Sequence, residues 1–163
     1  MLEISSLFLF FPLAITLHNL EEALWLPQWS KYAQKFHAPV NKDKFHFAVI
    51  VITLLAYLAT CTFMFLPQIL VCKYFYFGFL GAMIINAIFP HLVSTIILKK
   101  YSPGLITGVF LVIPSNVLII TYSIYNKVIS FYKIVLSTIV VGTVLLIMIP
   151  ILFKLGKKFI SYE

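Results

Sequence analysis

Residues 4–26 read ISSLFLFFPLAITLHNLEEALWL, an apolar run long enough to cross the hydrocarbon core of a bilayer as one helix, which takes about 20 residues. The run contains His18, Glu21 and Glu22, and the two glutamates are among only five acidic residues in the chain. Burying a carboxylate in hydrocarbon costs several kcal/mol unless the group is protonated, paired or bound to a metal. This stretch therefore predicts both a transmembrane helix and a functional site within it.

The rest of the chain continues in the same way. It is 62% hydrophobic and 10% charged, whereas soluble domains carry about 25% charged residues. Five apolar runs are separated by short turn or charge signals, and they cover residues 4–26, 45–66, 73–98, 104–125 and 131–153. We predict an all-α, polytopic transmembrane bundle of five helices in the cell membrane. It forms a single domain over residues 1–163, and residues 27–44 form a loop at the membrane interface.

The lysines indicate an orientation for this bundle. The net charge of +7 includes no arginine, and nine of the twelve lysines fall in loops on one predicted side. By the positive-inside rule that side is cytoplasmic, which places the N-terminus outside and the C-terminus inside. Because the lysines lie at the ends of apolar segments, the basic charge is interpreted as contact with lipid headgroups, and no nucleic-acid partner is expected.

His18, Glu21 and Glu22 occupy positions i, i+3 and i+4 of the first predicted helix, so they project from one face, with a carboxylate on either side of the imidazole. The predicted topology brings further polar residues into the cytoplasmic half of the bilayer, namely His46, Asn86 and His91. These residues are therefore predicted to converge on one site. The fifth helix carries few polar residues and is interpreted as packing scaffold or as a lipid-facing helix.

Pro90 predicts a kink in the third helix. A proline ring clashes with the carbonyl four residues earlier and leaves it without a partner, and here that carbonyl belongs to Asn86. In a membrane such a freed group must find another partner. A kink would therefore expose polar backbone beside Asn86 and His91.

Three motifs follow one another along the chain: His18-x-x-Glu21-Glu22, Asn86-x4-His91 and Tyr101-Ser102-Pro103-Gly104. In order and spacing they resemble those of the HXXEE-motif family of small bacterial membrane proteins. The resemblance covers nearly the whole chain and implies a polytopic membrane domain. The family carries no established activity, so the chemistry has to be argued from the residues.

The residue types favour a metal-dependent membrane enzyme. Imidazole and carboxylate together suit Zn²⁺, Fe²⁺ or Mn²⁺. The candidate ligands are His18, Glu21, Glu22 and His91, with His46 as a further candidate. Two histidines and one glutamate would hold a single ion, and the second glutamate would act as general base on a metal-activated water. With Asn86 as a third catalytic candidate beside the glutamates, we predict a hydrolytic or lipid-modifying reaction on a lipophilic or amphiphilic substrate.

Other interpretations of the same residues stay open. Without a metal, a buried glutamate beside a histidine could move protons on a lipid-soluble substrate, as in an isomerase-like or ligand-binding protein. A proton-coupled carrier would use the same groups as a relay, but five helices without an inverted repeat would have to form an oligomer. The chain could also be an accessory membrane subunit. Separately, Glu21 and Glu22 could simply lie at the cytoplasmic interface, solvated and paired with Lys31 or Lys35.

Overall fold

The computed structural model describes residues 6–32, 34 and 39–160. Every regular element within these residues is helical, which confirms the predicted all-α class and the five long helices. The helices are α1 (Phe10–Trp29), α2 (Lys42–Phe65), α3 (Leu70–Leu98), α4 (Leu105–Tyr125) and α5 (Phe131–Ile160).

Within the described residues, four helices are long and apolar enough to cross a membrane, namely α2, α3, α4 and α5. The first helix is not among them, because His18, Asn19 and the two glutamates lower its mean hydropathy. The composition of α2 to α5 therefore supports the predicted membrane bundle. The polar cluster in α1 is the feature that sets this helix apart.

Successive helices alternate in direction. Asn19 of α1 bonds to Thr53 of α2, whereas Ala23, one turn further along α1, bonds to His46, which comes earlier in α2. The two helices are therefore antiparallel. Similar contacts show that α3 and α5 run in the same direction as α1, and that α4 runs in the same direction as α2. One end of the bundle, called here the lysine-rich end, consequently carries Lys31, Lys42, Lys44, Lys99, Lys100, Lys154, Lys157 and Lys158.

The helix ends differ from the predicted ones where charged residues continue a helix. Helix α2 begins at Lys42 and not at residue 45, because the side chain of Asn41 accepts a hydrogen bond from the backbone N–H of Lys44 and caps the helix. Helix α5 likewise runs through its terminal lysines, and α3 begins at Leu70, three residues earlier than predicted.

The loop predicted over residues 27–44 is shorter in the structure. Helix α1 continues through Pro27 to Trp29, and the Ser30 hydroxyl then donates to the Pro27 carbonyl. Residues 33 and 35–38 of this loop lie outside the described residues, and the interfacial position of the whole loop stays a prediction. At the far end of the loop, the backbone N–H of Val40 donates to the Ser30 hydroxyl oxygen, which ties the two helices together.

Two kinds of packing hold the bundle. Away from the lysine-rich end, aromatic rings of α1, α2 and α3 pack edge to face, such as Phe11 on Phe79 with centroids 5.4 Å apart. Between α3 and α5 the backbones approach closely at Gly78 and Gly81. A Cβ at either glycine would clash with Ser137 or neighbouring atoms of α5. Small residues permit such close contact between membrane helices.

Candidate functional site

Three side chains from two helices meet inside the bundle. The Oε1 atom of Glu22 lies 2.8 Å from Nε2 of His91 and 3.7 Å from Nε2 of His18. Both imidazoles are fully enclosed, with side-chain exposures of 0% and 1%, while Glu22 retains 13%. One ligand atom from each residue lies within 4.8 Å of the other two. The structure thus brings together His18, Glu22 and His91, as the sequence predicted.

The kink in α3 brings His91 into this group. The backbone of Phe89 leaves the helical conformation, with φ −125° and ψ 115°, immediately before Pro90. A kink at this proline was predicted from the sequence. It leaves His91 buried, with its ring centroid 5.2 Å from that of His18. The kink therefore places the imidazole of His91 next to that of His18.

Asn86 lies between the two imidazoles. Its amide nitrogen is 3.3 Å from Nε2 of His18 and 3.5 Å from Nε2 of His91. The carboxamide therefore faces the same point as the two ring nitrogens and the Glu22 carboxylate. The structure brings Asn86 into the predicted site.

Glu21 faces a different part of the bundle from Glu22. Its carboxylate accepts hydrogen bonds from the backbone N–H groups of Gly104 at 2.7 Å and Thr107 at 3.0 Å. The Thr107 hydroxyl, at 2.5 Å, and the Tyr101 hydroxyl also donate to it. These backbone donors belong to the first turn of α4, which has no partner for them within the helix. Glu21 thus caps α4 from a neighbouring helix, and a negative charge at that end also suits the helix dipole.

The hydroxyl of Tyr101 keeps its proton and donates it in the hydrogen bond to this carboxylate. Burial and the hydrogen bond to Glu21 raise the pKa of Tyr101 to about 12, so the phenol stays protonated throughout the physiological range. Tyr101 lies in the turn between α3 and α4, outside the helices. The contact thus ties that turn to α1.

Thr107 connects Glu21 to the histidine cluster. An ionised carboxylate only accepts hydrogen bonds, so the single hydroxyl proton of Thr107 is donated to Glu21. Nδ1 of His18 lies 3.1 Å from the same hydroxyl oxygen and must therefore be the donor in that contact. His18 accordingly carries its proton on Nδ1, and the lone pair of Nε2 faces Glu22 and Asn86. Such partners orient the histidine ligands of metal sites in proteins.

Gly104 makes the close approach of the turn to the histidines feasible. Its φ of 95° lies in the left-handed region, which side chains disfavour. A Cβ at this position would lie 2.7 Å from Cε1 of His91 and 3.0 Å from Cε1 of His18. Both the conformation and the available space therefore require glycine at the edge of the site.

A cavity of about 380 Å³ reaches the cluster from the side. Its polar lining includes Asn19, Glu22 and Asn86, whereas most of the surface is apolar and comes from α2, α3 and α5. Helix α5 contributes residues from Thr138 to Phe153 to this wall. The fifth helix is consequently more than the lipid-facing or packing scaffold that the sequence indicated.

His46 lies apart from the three-residue group. Its Nε2 is 2.8 Å from the backbone carbonyl of Ala23, a contact in which the imidazole donates. It ties the start of α2 to the end of α1. The group of described side chains able to share an ion does not include His46.

The donor set fits a divalent transition metal. Two imidazoles and one carboxylate form a combination that zinc and non-haem iron use in proteins, with further coordination positions left for water or substrate. Ligand bonds of about 2.0–2.2 Å hold ligand atoms roughly 3–4 Å apart. The distances of 2.8 and 3.7 Å from Glu22 to the two imidazoles are close to this spacing. Within the described residues, Nδ1 of His91 has no hydrogen-bond partner.

Comparison with known proteins identifies the family. A profile described as "Protein of unknown function with HXXEE motif" matches residues 9–119, which is more than half of the chain. The chain belongs to the HXXEE-motif family. Among curated proteins, "Uncharacterized protein YrkK" of Bacillus subtilis (strain 168) is 53% identical over 149 residues, covering 91% of this chain and 94% of the relative. No solved structure matches significantly.

The segment matched by the HXXEE-motif profile contains the whole polar cluster, from His18 to Thr107. Sequence reasoning missed three participants within it: Tyr101, Gly104 and Thr107. The turn motif after α3 was a signal for the first two, since it combines a proline and a glycine with an aromatic hydroxyl. For Thr107 the sequence offered no comparable signal, because threonine is common in membrane helices.

Proposed function

We propose that this protein is a membrane-embedded enzyme that binds one divalent transition metal at His18, Glu22 and His91. The observation that carries this proposal is the convergence of two imidazole nitrogens and a carboxylate oxygen, all within 4.8 Å, in the interior of an apolar bundle. Zn²⁺, Fe²⁺ and Mn²⁺ are the ions that suit these donors. A bound ion would offset the cost of burying the carboxylate, whose partners among the described residues are the two histidines.

The orientation of His18 supports this assignment. Its proton is held on Nδ1 by Thr107, so Nε2 presents a lone pair to the centre of the cluster. Glu21 acts through Thr107 and is a positioning residue in this proposal, not a ligand or a base. This differs from the sequence-based hypothesis, in which either glutamate could be a ligand and the other the base.

The reaction we propose is hydrolysis or another modification of a lipophilic substrate that occupies the cavity. A bound metal ion would polarise a carbonyl or phosphoryl oxygen and lower the pKa of a bound water. Asn86 would hold the reacting group through its amide, since it faces the ligand atoms and also lines the cavity. The apolar walls would exclude bulk water from the other parts of the substrate.

A metal-free acid–base protein is the second candidate. The specific observation that favours it is the 2.8 Å contact between Glu22 and His91, which is the length of a charge-assisted hydrogen bond. In that case the Glu22–His91 pair would transfer a proton to and from a substrate in the cavity, without an ion.

Metal analysis separates the two candidates. The protein is purified in mild detergent without chelator, and its metal content is measured by mass spectrometry before and after dialysis against Zn²⁺, Fe²⁺ or Mn²⁺. We expect about one ion per chain in the wild type and loss of that ion in His18→Ala and His91→Ala. His46→Ala is the matched control and should retain the metal, because His46 bonds to a backbone carbonyl.

A wild-type protein that stays free of metal under all three loading conditions would overturn the metal proposal in favour of the acid–base candidate. Equal loss of metal in His46→Ala would also contradict it, because the ion would then not depend on the proposed ligands. Each variant is checked for folding by size-exclusion chromatography and thermal unfolding, so that a loss of metal is not confused with a loss of structure.

A further inference from the structure

The cavity beside the cluster is elongated along α5. The residues of α5 that line it extend from Thr138 to Phe153, which at 1.5 Å per residue is about 22 Å along the helix. That is roughly two thirds of the ~30 Å hydrocarbon thickness of a bilayer. Its lining is almost entirely aliphatic and aromatic apart from a few polar groups. These dimensions fit an extended hydrocarbon chain better than a compact molecule.

The polar cluster lies near one end of this cavity. Two contacts between α1 and α2 fix its level, because Asn19 bonds to Thr53 and Ala23 bonds to His46. Glu22 is therefore level with the first turns of α2, within about two turns of Lys44. Part of the cavity wall, including Ala82 and Thr138, lies further from the lysine-rich end, whereas Phe45 and Phe153 lie nearer to it. A chain in the cavity would consequently extend away from the cluster toward the opposite end of the bundle.

Cationic side chains lie next to the cavity at the lysine-rich end. A second, smaller pocket at the lysine-rich end contains three lysines in its lining, and it shares Phe153 with the large cavity. These lysines are Lys44, Lys154 and Lys157. The described lining of this pocket contains no acidic residue. A basic pocket next to an apolar cavity is complementary to an amphiphile with a negatively charged head.

We propose that the ligand of this site is an amphiphile with one hydrocarbon chain and an anionic head group. The head lies among the lysines and the chain fills the cavity, so that the bond joining head and chain passes beside Glu22 and Asn86. This inference rests on the proposed function, because it names the substrate class of the same site. Binding of the amphiphile requires only the lysines and the cavity, not the metal.

Equilibrium binding of radiolabelled palmitate tests this proposal. The protein is reconstituted in phosphatidylcholine nanodiscs, empty nanodiscs define the background, and radiolabelled hexadecanol is the uncharged comparison. Lys154→Gln and Lys44→Gln should each weaken palmitate binding about fivefold, which corresponds to about 1 kcal/mol, and should leave hexadecanol binding unchanged. Lys158→Gln is the matched control, because this lysine is on the same turn of α5 but does not line the pocket.

A second variant fills the cavity. A Cβ at Gly142 would lie 3.7 Å from Ala82, an ordinary contact, so Gly142→Leu can place its side chain in the cavity without a backbone clash. We expect it to abolish saturable binding of both palmitate and hexadecanol. Val140→Leu, at an exposed position of α5 outside the lining, is its control.

The outcomes separate this inference from the metal proposal. Wild-type binding equal to that of empty nanodiscs would overturn the inference, as would lysine variants with unchanged palmitate affinity. His18→Ala should lose metal but retain palmitate binding. If the wild type binds palmitate but no metal, the ligand class stands and the metal-dependent function fails. If it binds metal but no palmitate, the metal proposal stands and the ligand class fails.

Discussion

At the scale of single residues, the two adjacent glutamates have different roles because a helix rotates by about 100° per residue. Glu22 faces the two imidazoles, whereas Glu21 faces the first turn of α4. The sequence predicted a carboxylate on either side of His18; Glu22 lies 3.7 Å from that imidazole, and Glu21 is linked to it through Thr107. It could not show which side held the second histidine, because this depends on how α3 and α4 pack around α1.

Substitution of each glutamate should therefore have a different effect. Glu21→Gln removes the charge from an acceptor of several hydrogen bonds, and bonds to charged groups contribute about 1.5–3 kcal/mol each. We expect it to lower the free energy of unfolding by about 1–3 kcal/mol, measured by denaturant or thermal unfolding in detergent. Glu22→Gln should leave stability closer to wild type and abolish metal binding. Loss of metal in Glu22→Gln together with unchanged stability in Glu21→Gln would contradict the capping role.

Thr107 offers a test of the proposed link between Glu21 and His18. Thr107→Val keeps the shape of the side chain but removes the hydroxyl that orients His18. Loss of such a partner usually weakens metal affinity about 10–100-fold, and we expect a decrease in this range by isothermal titration with Zn²⁺. Thr107→Ser retains the hydroxyl and should bind nearly as tightly as the wild type. Equal affinity in the valine variant would show that His18 does not depend on Thr107.

At the scale of elements, the regular helix α1 carries His18 and Glu22, whereas irregular backbone brings their partners against it. The kink at Phe89 and the turn before α4 bring His91, Gly104 and Thr107 against α1. Proline predicted the kink in the third helix, since its effect on a helix is local. The capping of α4 by a residue of α1 is a long-range contact, and no local pattern in the sequence reports it.

Gly104→Ala tests the turn as a unit. A left-handed conformation costs a non-glycine residue about 1–2 kcal/mol, and the added Cβ would also displace His91, from which it would be only 2.7 Å away. We expect lower thermal stability and strongly reduced metal content. Gly142→Ala is the control, because its Cβ meets only Ala82 at 3.7 Å. Comparable damage in both variants would indicate a general sensitivity of the bundle to added methyl groups.

At the scale of the whole molecule, the order of the helices follows from the apolar runs in the sequence, and hydropathy identifies α2 to α5 as long and apolar enough to cross a membrane. The ends of the helices were less predictable. Three consecutive charged residues before the second apolar run are typical of a loop. Because Asn41 caps the helix, these residues, Lys42, Asp43 and Lys44, form the first turn of α2. The contribution of α5 to the cavity also escaped prediction, because a wall of apolar side chains looks the same in sequence as a lipid-facing surface.

The arrangement of lysines at one end leads to a prediction about the orientation of the bundle in the cell. If the lysine-rich end is cytoplasmic, Lys158 lies inside and Lys127, in the turn between α4 and α5, lies outside. Each is replaced by cysteine in a Cys61→Ser/Cys72→Ser background and treated with a membrane-impermeant maleimide. Lys127→Cys should be labelled in intact cells, whereas Lys158→Cys should be labelled only after permeabilisation. The opposite pattern would reverse the orientation and place the lysine-lined pocket, with its proposed anionic ligand, at the outer leaflet.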